Sequence, residues 1–160
     1  MKIIVTGEIN SGKTSYVKDY IEKHKEYNFF GWLTFKLRKE LSPQYDIAFV
    51  EKSSIIKIFP FIRYNKIFKN WEKFRNFYFN RFIFEEQKKI IRKYLNNYNK
   101  DKNVFVIDEI GPLELIEKSG IYPAFGDIAQ IKNLLVVVRK TMLSNFFRIF
   151  GDEKWIIEEK

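Results

Sequence analysis

The feature that most constrains this chain is a short glycine-bounded run directly after an apolar segment. Ile3-Ile4-Val5 leads into Gly7-Glu8-Ile9-Asn10-Ser11-Gly12-Lys13-Thr14, which fits the pattern G-x-x-x-x-G-K-[ST] at every specified position. Glycines at both ends of such a run let the backbone curl until successive N–H groups converge, where they can hold phosphate oxygens. A helix that follows adds the positive end of its dipole. Lys13 then reaches the outer phosphates, and the Thr14 hydroxyl is a ligand for Mg²⁺. The pattern requires a strand before it and a helix behind it. Tyr16, Val17, Tyr20, Ile21 and His24 supply the helical spacing over Lys13 to Lys25. From average residue frequencies the pattern arises by chance in roughly one chain of this length in a few hundred. Residues Gly7, Glu8, Ile9, Asn10, Ser11, Gly12, Lys13 and Thr14 are therefore expected to cradle a nucleoside triphosphate.

A second pattern fits the first. Val104-Phe105-Val106-Ile107 is a continuous apolar run, as in a strand covered on both faces, and it ends in Asp108-Glu109. In open α/β sheets ligands bind at the carboxyl ends of the strands. Beside a phosphate loop, Asp108 can hold the Mg²⁺ hydration shell, and Glu109 can orient and deprotonate a water. Positioned general bases are typically worth about 10²–10⁴ in rate. Taken alone, two carboxylates at a strand end more often cap the next segment.

The remaining segments point to an α/β fold in one domain, residues 1–160. Phe29 to Arg38 and Tyr45 to Val50, with Ser42-Pro43 between them, read as an antiparallel hairpin. Ile55 to Ile62 and Arg75 to Phe79 read as further strands. Phe84, Gln87, Ile90, Ile91, Tyr94, Leu95 and Tyr98 mark one face of a helix. Leu134 to Val138 is another buried strand, Thr141 to Phe150 a helix, and Trp155-Ile156-Ile157 a last strand. Strands alternating with helices predict a layered sandwich around a mainly parallel sheet.

Composition removes several chemistries. The chain has no cysteine, and His24 is its only histidine, so thiolate catalysis, Cys-bound zinc and a Ser-His-Asp triad cannot be built. No apolar run is long enough to span a membrane, and no cleavable leader is visible, so cytoplasmic residence is expected. The net charge is +9, from 29 basic and 20 acidic residues. Most of the cations are scattered lysines in a chain also rich in Ile, Asn, Phe and Tyr, a composition typical of AT-rich codon usage.

With these motifs in place, the chain resembles a small nucleoside-triphosphatase family first described from thermophiles. That family carries a block D-E-[IV]-G-x-[ML]-E-L, matched by Asp108-Glu109-Ile110-Gly111-Pro112-Leu113-Glu114-Leu115. A G-[FW]-[YL]-T strand leading to an arginine is matched by Gly31-Trp32-Leu33-Thr34 and Arg38. An apolar strand ending in a basic residue is matched by Val136-Val137-Val138-Arg139. The resemblance implies a three-layer P-loop NTPase sandwich of RecA-like, additional-strand topology. It also implies slow, Mg²⁺-dependent hydrolysis of ATP, GTP and other NTPs with little base selectivity. The chain departs from the family at Pro43-Gln44-Tyr45-Asp46, where an Arg-x-Gly-Phe is usual, and over the aromatic, basic stretch from Lys57 to Phe82.

Catalytic roles fall to Glu109, Lys13 and Arg139, the last as an internal arginine finger on the γ-phosphate, with a surface salt bridge as its alternative. Arg38 carries the same two readings. Glu114 either structures the loop after the acidic pair or caps a helix or is solvated, and His24 packs on the apolar face of the first helix. The stretch from Lys57 to Phe82 interleaves cations with aromatic rings, as single-strand nucleic-acid binders do. Sheet-covering aromatics are the favoured reading of it. Two rival functions use the same cradle: a nucleotide or small-molecule kinase, and a nucleotide-dependent RNA- or DNA-binding module. Few late arginines are present to form a kinase lid, and neither the preferred base nor the oligomeric state is encoded in a recognisable segment.

Overall fold

A computed structural model of the protein describes residues 1–37, 42–64, 69–152 and 154–160. The expectation for Arg38 falls outside these residues, as do Lys66 and Phe68 of the aromatic stretch.

The chain opens with strand β1 (Lys2–Gly7), the phosphate loop and helix α1 (Lys13–Lys23). Strands β2 (Asn28–Lys36) and β3 (Gln44–Glu51) form the expected antiparallel hairpin. Lys52 and Ser53, both at positive φ (49° and 64°), turn the chain into β4 (Ser54–Tyr64). Two positive φ values in a row are the type I′ conformation, one of the two tight turns whose twist matches that of the flanking strands.

The single strand expected over Arg75 to Phe79 is instead the turn and second arm of another hairpin, β5 (Trp71–Phe74) and β6 (Phe77–Asn80). Arg75 takes φ 55°, Asn76 completes the turn, and Phe74 pairs with Phe77. No glycine announces this reversal in the sequence.

Helix α2 (Arg81–Asn97) begins where the Asn80 side chain accepts the Phe82 N–H at 3.2 Å. Strand β7 (Asn103–Ile110) follows, then three short helical turns that the sequence reading missed. These are α3 (Pro112–Leu115), a 3₁₀ turn at Tyr122–Ala124 and α4 (Phe125–Ala129). Strand β8 (Leu134–Arg139), helix α5 (Leu143–Phe150) and strand β9 (Ile156–Glu159) complete the chain.

Among the described residues, the nine strands join one sheet in the order β5-β6-β4-β3-β2-β7-β8-β1-β9. It is mixed rather than mainly parallel. The pairs β2–β7, β7–β8, β8–β1 and β1–β9 are parallel, and the four pairs from β2 outward to β5 are antiparallel. One strand, β8, lies between β1 and β7. The sheet has a hydrophobic cluster on each face. Ile3, Val5, Val104, Val106 and Leu135 meet Val17 and Ile21 of α1 on one side. Ile4, Trp32, Phe105, Ile107 and Val136 meet Ile83, Ile91 and Tyr94 of α2, with Phe146 of α5, on the other. Helices on both faces cover the continuous apolar runs of β7 and β8, which is why those runs do not alternate. No helix among the described residues is long and apolar enough to cross a membrane.

Candidate phosphate and metal site

The parallel strands end together. Gly7 at the end of β1 is in register with Arg139 at the end of β8, and Trp32 of β2 with Ile107 of β7. The residues just beyond these points crowd around one cleft of about 370 Å³ at the carboxyl edge of the sheet.

Two glycines shape the loop for different reasons. Gly7 is held by close approach: a Cβ there would lie 2.1 Å from the Lys160 carbonyl oxygen and 2.7 Å from Ser11 Oγ. Gly12 has open space around it but sits at φ 87°, a left-handed conformation that other residues adopt only at a cost. It is the N-cap of α1, so the helix axis starts at the loop. Lys13 folds back over the loop, its ammonium donating to the carbonyl oxygens of Gly7 (3.2 Å) and Glu8 and to Ser11 Oγ (3.4 Å). Partial burial lowers its pKa, against the opposing pull of the Glu109 carboxylate. Ile9 to Thr14 line the cleft, while Gly7 and Glu8 serve through their carbonyls.

The acidic pair reaches this loop from β7. Thr14 Oγ1 donates to Asp108 Oδ2 at 2.9 Å and lies 3.2 Å from Oδ1, joining residues 94 positions apart. The Thr34 N–H donates to the same Asp108 Oδ2 at 2.8 Å, and the Thr34 hydroxyl to the Asp108 carbonyl at 3.3 Å. Thr34 is the part of the site that the sequence reading did not assign. Its role runs chiefly through a backbone N–H, which no residue type advertises. Burial pushes the Asp108 carboxyl up to about 7, even though the Thr34 and Thr14 donors favour its charged form.

A bulge separates the two carboxylates. Ile107 pairs with Val136 and Ile110 with Val138, so Asp108 and Glu109 together face the single residue Val137. Glu109 absorbs the extra length at φ 76°. Asp108 thereby turns inward to Thr14 and Thr34, and Glu109 turns to the half-exposed Arg139, whose Nε donates to Glu109 Oε1. Arg139 thus has the salt bridge of its alternative reading, but within the cleft rather than on an outer surface.

Glu114 is buried, and its carboxylate accepts the Gly111 N–H at 3.1 Å, capping α3. Of its readings, the loop-structuring and capping ones hold and the solvated one does not. His24 ends α1, its ring stacked on Tyr20 at 3.9 Å with Nδ1 2.8 Å from the Tyr20 carbonyl oxygen. In the aromatic stretch, Phe59 packs on Phe49, Phe61 on Phe79 and Phe84, and Tyr64 on Phe77. Arg63 is ion-paired with Asp46 at 2.8 Å.

Loop, helix and acidic strand end in this arrangement define a P-loop nucleotide-binding protein. More particularly, the chain belongs to the NTPase family whose model matches residues 2–154. Among solved structures it is similar to THEP1 from the hyperthermophile Aquifex aeolicus, with 26% identity and a TM-score of 0.76 over 99% of this chain and 89% of that one. It is also similar in fold to a human cancer-related nucleoside triphosphatase, with 17% identity and a TM-score of 0.67 over 99% of this chain and 87% of the other. Comparison with curated protein sequences gives no match.

Proposed function

We propose that the protein hydrolyses nucleoside triphosphates, ATP and GTP among them, to the diphosphate and phosphate in a Mg²⁺-dependent reaction. The carrying observation is the Thr14–Asp108 hydrogen bond, which brings the phosphate loop and the acidic strand end to one point. Its geometry also accords with an additional-strand, RecA-like topology, since β8 separates β1 from β7.

The donor set fits Mg²⁺. Thr14 Oγ1 and the Asp108 carboxylate are hard oxygen ligands, and Asp108 is a buried carboxylate whose ionisation a neighbouring cation would favour. Among the described residues no cluster of three His, Cys, Asp or Glu side chains could hold a metal without help. Mg²⁺ is the cation that takes one or two protein oxygens and completes its shell with phosphate and water. Bound there, it would neutralise charge on the β- and γ-phosphate oxygens.

The protein groups divide the remaining work. Loop N–H groups and the start of α1 hold the phosphates, and the Lys13 ammonium exchanges its carbonyl partners for phosphate oxygens. Glu109 orients a water and takes its proton as the water oxygen bonds to Pγ and the bond from Pγ to the β–γ bridging oxygen breaks. Arg139 fixes the Glu109 carboxylate through Nε and keeps further N–H groups for the γ-phosphoryl charge. The cleft offers Phe35 and Tyr45 as ring surfaces, which supports broad use of bases.

The test is phosphate release from ATP, GTP, CTP and UTP with and without Mg²⁺. Turnover of all four within about tenfold, abolished by chelation, is expected, because stacking on the Phe35 and Tyr45 rings discriminates weakly among bases. No release from any of them sinks the reading.

A further inference from the structure

A second cavity, of about 120 Å³, adjoins the phosphate cleft. Thr34, Asp108, Glu109 and Arg139 line both spaces, so whatever fills the second one lies against the groups assigned to the reacting γ-phosphate. Its remaining wall comes largely from the antiparallel half of the sheet: the rings of Phe61, Phe74, Phe77 and Phe79, with Arg75 from the β5–β6 turn and Gln87 from α2.

Gln87 is the unusual member of this wall. It is 3% exposed and stands between Ile83 and Ile91 on the buried face of α2, at a position where an apolar residue would pack without loss. Among the described residues no donor reaches its Oε1. A buried acceptor left unbonded costs about 1–3 kcal/mol, and such a group calls for an explanation. A donor on an occupant of the cavity supplies one.

The size of the space narrows the occupant. A dry cavity of about 150 Å³ holds one benzene, so this space, which opens into the cleft, takes a single ring of about six atoms with its substituent reaching toward the cleft. The four phenylalanines favour a flat, neutral ring among their faces.

We infer that this cavity seats a second substrate, a small heteroaromatic alcohol whose ring N–H or amino group donates to Gln87 Oε1 and whose hydroxyl receives the γ-phosphoryl group in place of water. The inference rests on the triphosphate reading of the adjoining cleft. The alcohol oxygen bonds to Pγ as the bond from Pγ to the β–γ bridging oxygen breaks. The hydroxyl proton passes to Glu109, and the nucleoside diphosphate departs with the electron pair of the broken bond. The products are a phosphate monoester and a nucleoside diphosphate.

The full chain, with ATP and Mg²⁺, is incubated with hydroxymethylimidazole, an amino-substituted pyridylmethanol, hydroxymethyluracil and benzyl alcohol. Phosphate monoester and free phosphate are both quantified. Ester from at least one of the three N–H-bearing probes, exceeding that from benzyl alcohol at least tenfold, is expected, since benzyl alcohol leaves Gln87 unpaired. Gln87→Leu should raise the KM for the esterified probe about tenfold while sparing kcat, because it removes one ground-state hydrogen bond. If that variant does not fold, the contrast with benzyl alcohol on the parent protein makes the same comparison. Free phosphate without ester from any probe overturns this inference and leaves the hydrolase reading standing. Neither product overturns both. Ester formed equally from benzyl alcohol removes Gln87 from the recognition and overturns the assignment.

Discussion

The two halves of the sheet sit differently against solvent. In the parallel half, β7 and β8 are buried from Val104 to Asp108 and from Leu134 to Val138, with helices on both faces. In the antiparallel half, Ile55, Ile56 and Ile58 of β4 are exposed, and every residue of β6 is half-buried. The strand ends of the double-covered half carry Asp108, Glu109 and Arg139 into the cleft. The half-covered side contributes ring surfaces and leaves space between them. The contrast teaches that the proposed division of labour follows coverage: the groups proposed to act on phosphate lie at the covered edge, and the ring surfaces proposed to select a second substrate lie on the less covered side.

Glu109→Gln tests the covered side most severely. It keeps the size of the side chain and its bond to Arg139 but removes the proton acceptor. Phosphate release is expected to fall by about 10²–10⁴ with an unchanged melting temperature. Nucleotide binding, followed by fluorescence of a labelled analogue, should persist. Turnover equal to that of the parent would move the base elsewhere and break the division between halves.

A paired truncation sharpens the contrast in stability. Phe105 is fully buried under α2, edge-on to Trp32 and tilted against Tyr94, whereas Phe79 is half-buried on β6. Phe105→Ala should cost about 3–5 kcal/mol, and Phe79→Ala less than half of that, as read by chemical denaturation. Equal losses would mean that the antiparallel half is packed as tightly as the parallel one.

Legibility in the sequence follows the same line. The phosphate loop, α1, β7, β8 and the Asp108–Glu109 pair could be read because each rests on residue types at fixed local spacing. The face of α2 that carries Gln87 was equally plain. What could not be read depends on pairing between distant segments. The bulge that turns Asp108 inward and Glu109 toward Arg139 exists only once β7 is set against β8. Thr34 acts through its backbone, and the turn at Arg75 lacks the glycine that usually marks a reversal. The unpaired state of Gln87 Oε1 is likewise a property of the assembled wall rather than of the helix pattern.

Glu114 joins the two halves and offers the mildest test. It is carried by α3 just beyond β7, yet it lines the aromatic cavity. Burial raises its pKa from the ordinary glutamate value to about 8, against the favourable Gly111 N–H bond. Between about pH 4.5 and 8 the unfolded chain has released this proton while the folded protein retains it, so stability falls as pH rises through that window. Glu114→Gln removes the titration and keeps a carbonyl oxygen to cap Gly111. The variant should match the parent near pH 4.5 and exceed it increasingly up to pH 8 and above, reaching about 1–3 kcal/mol, or roughly 2–10 °C in melting temperature. Asp108 titrates in the same direction in both proteins, so the difference between the two melting curves isolates Glu114. A difference that stays flat across the range would mean that the Glu114 carboxylate is solvated in the folded protein, and that the cavity wall is open where the structure closes it.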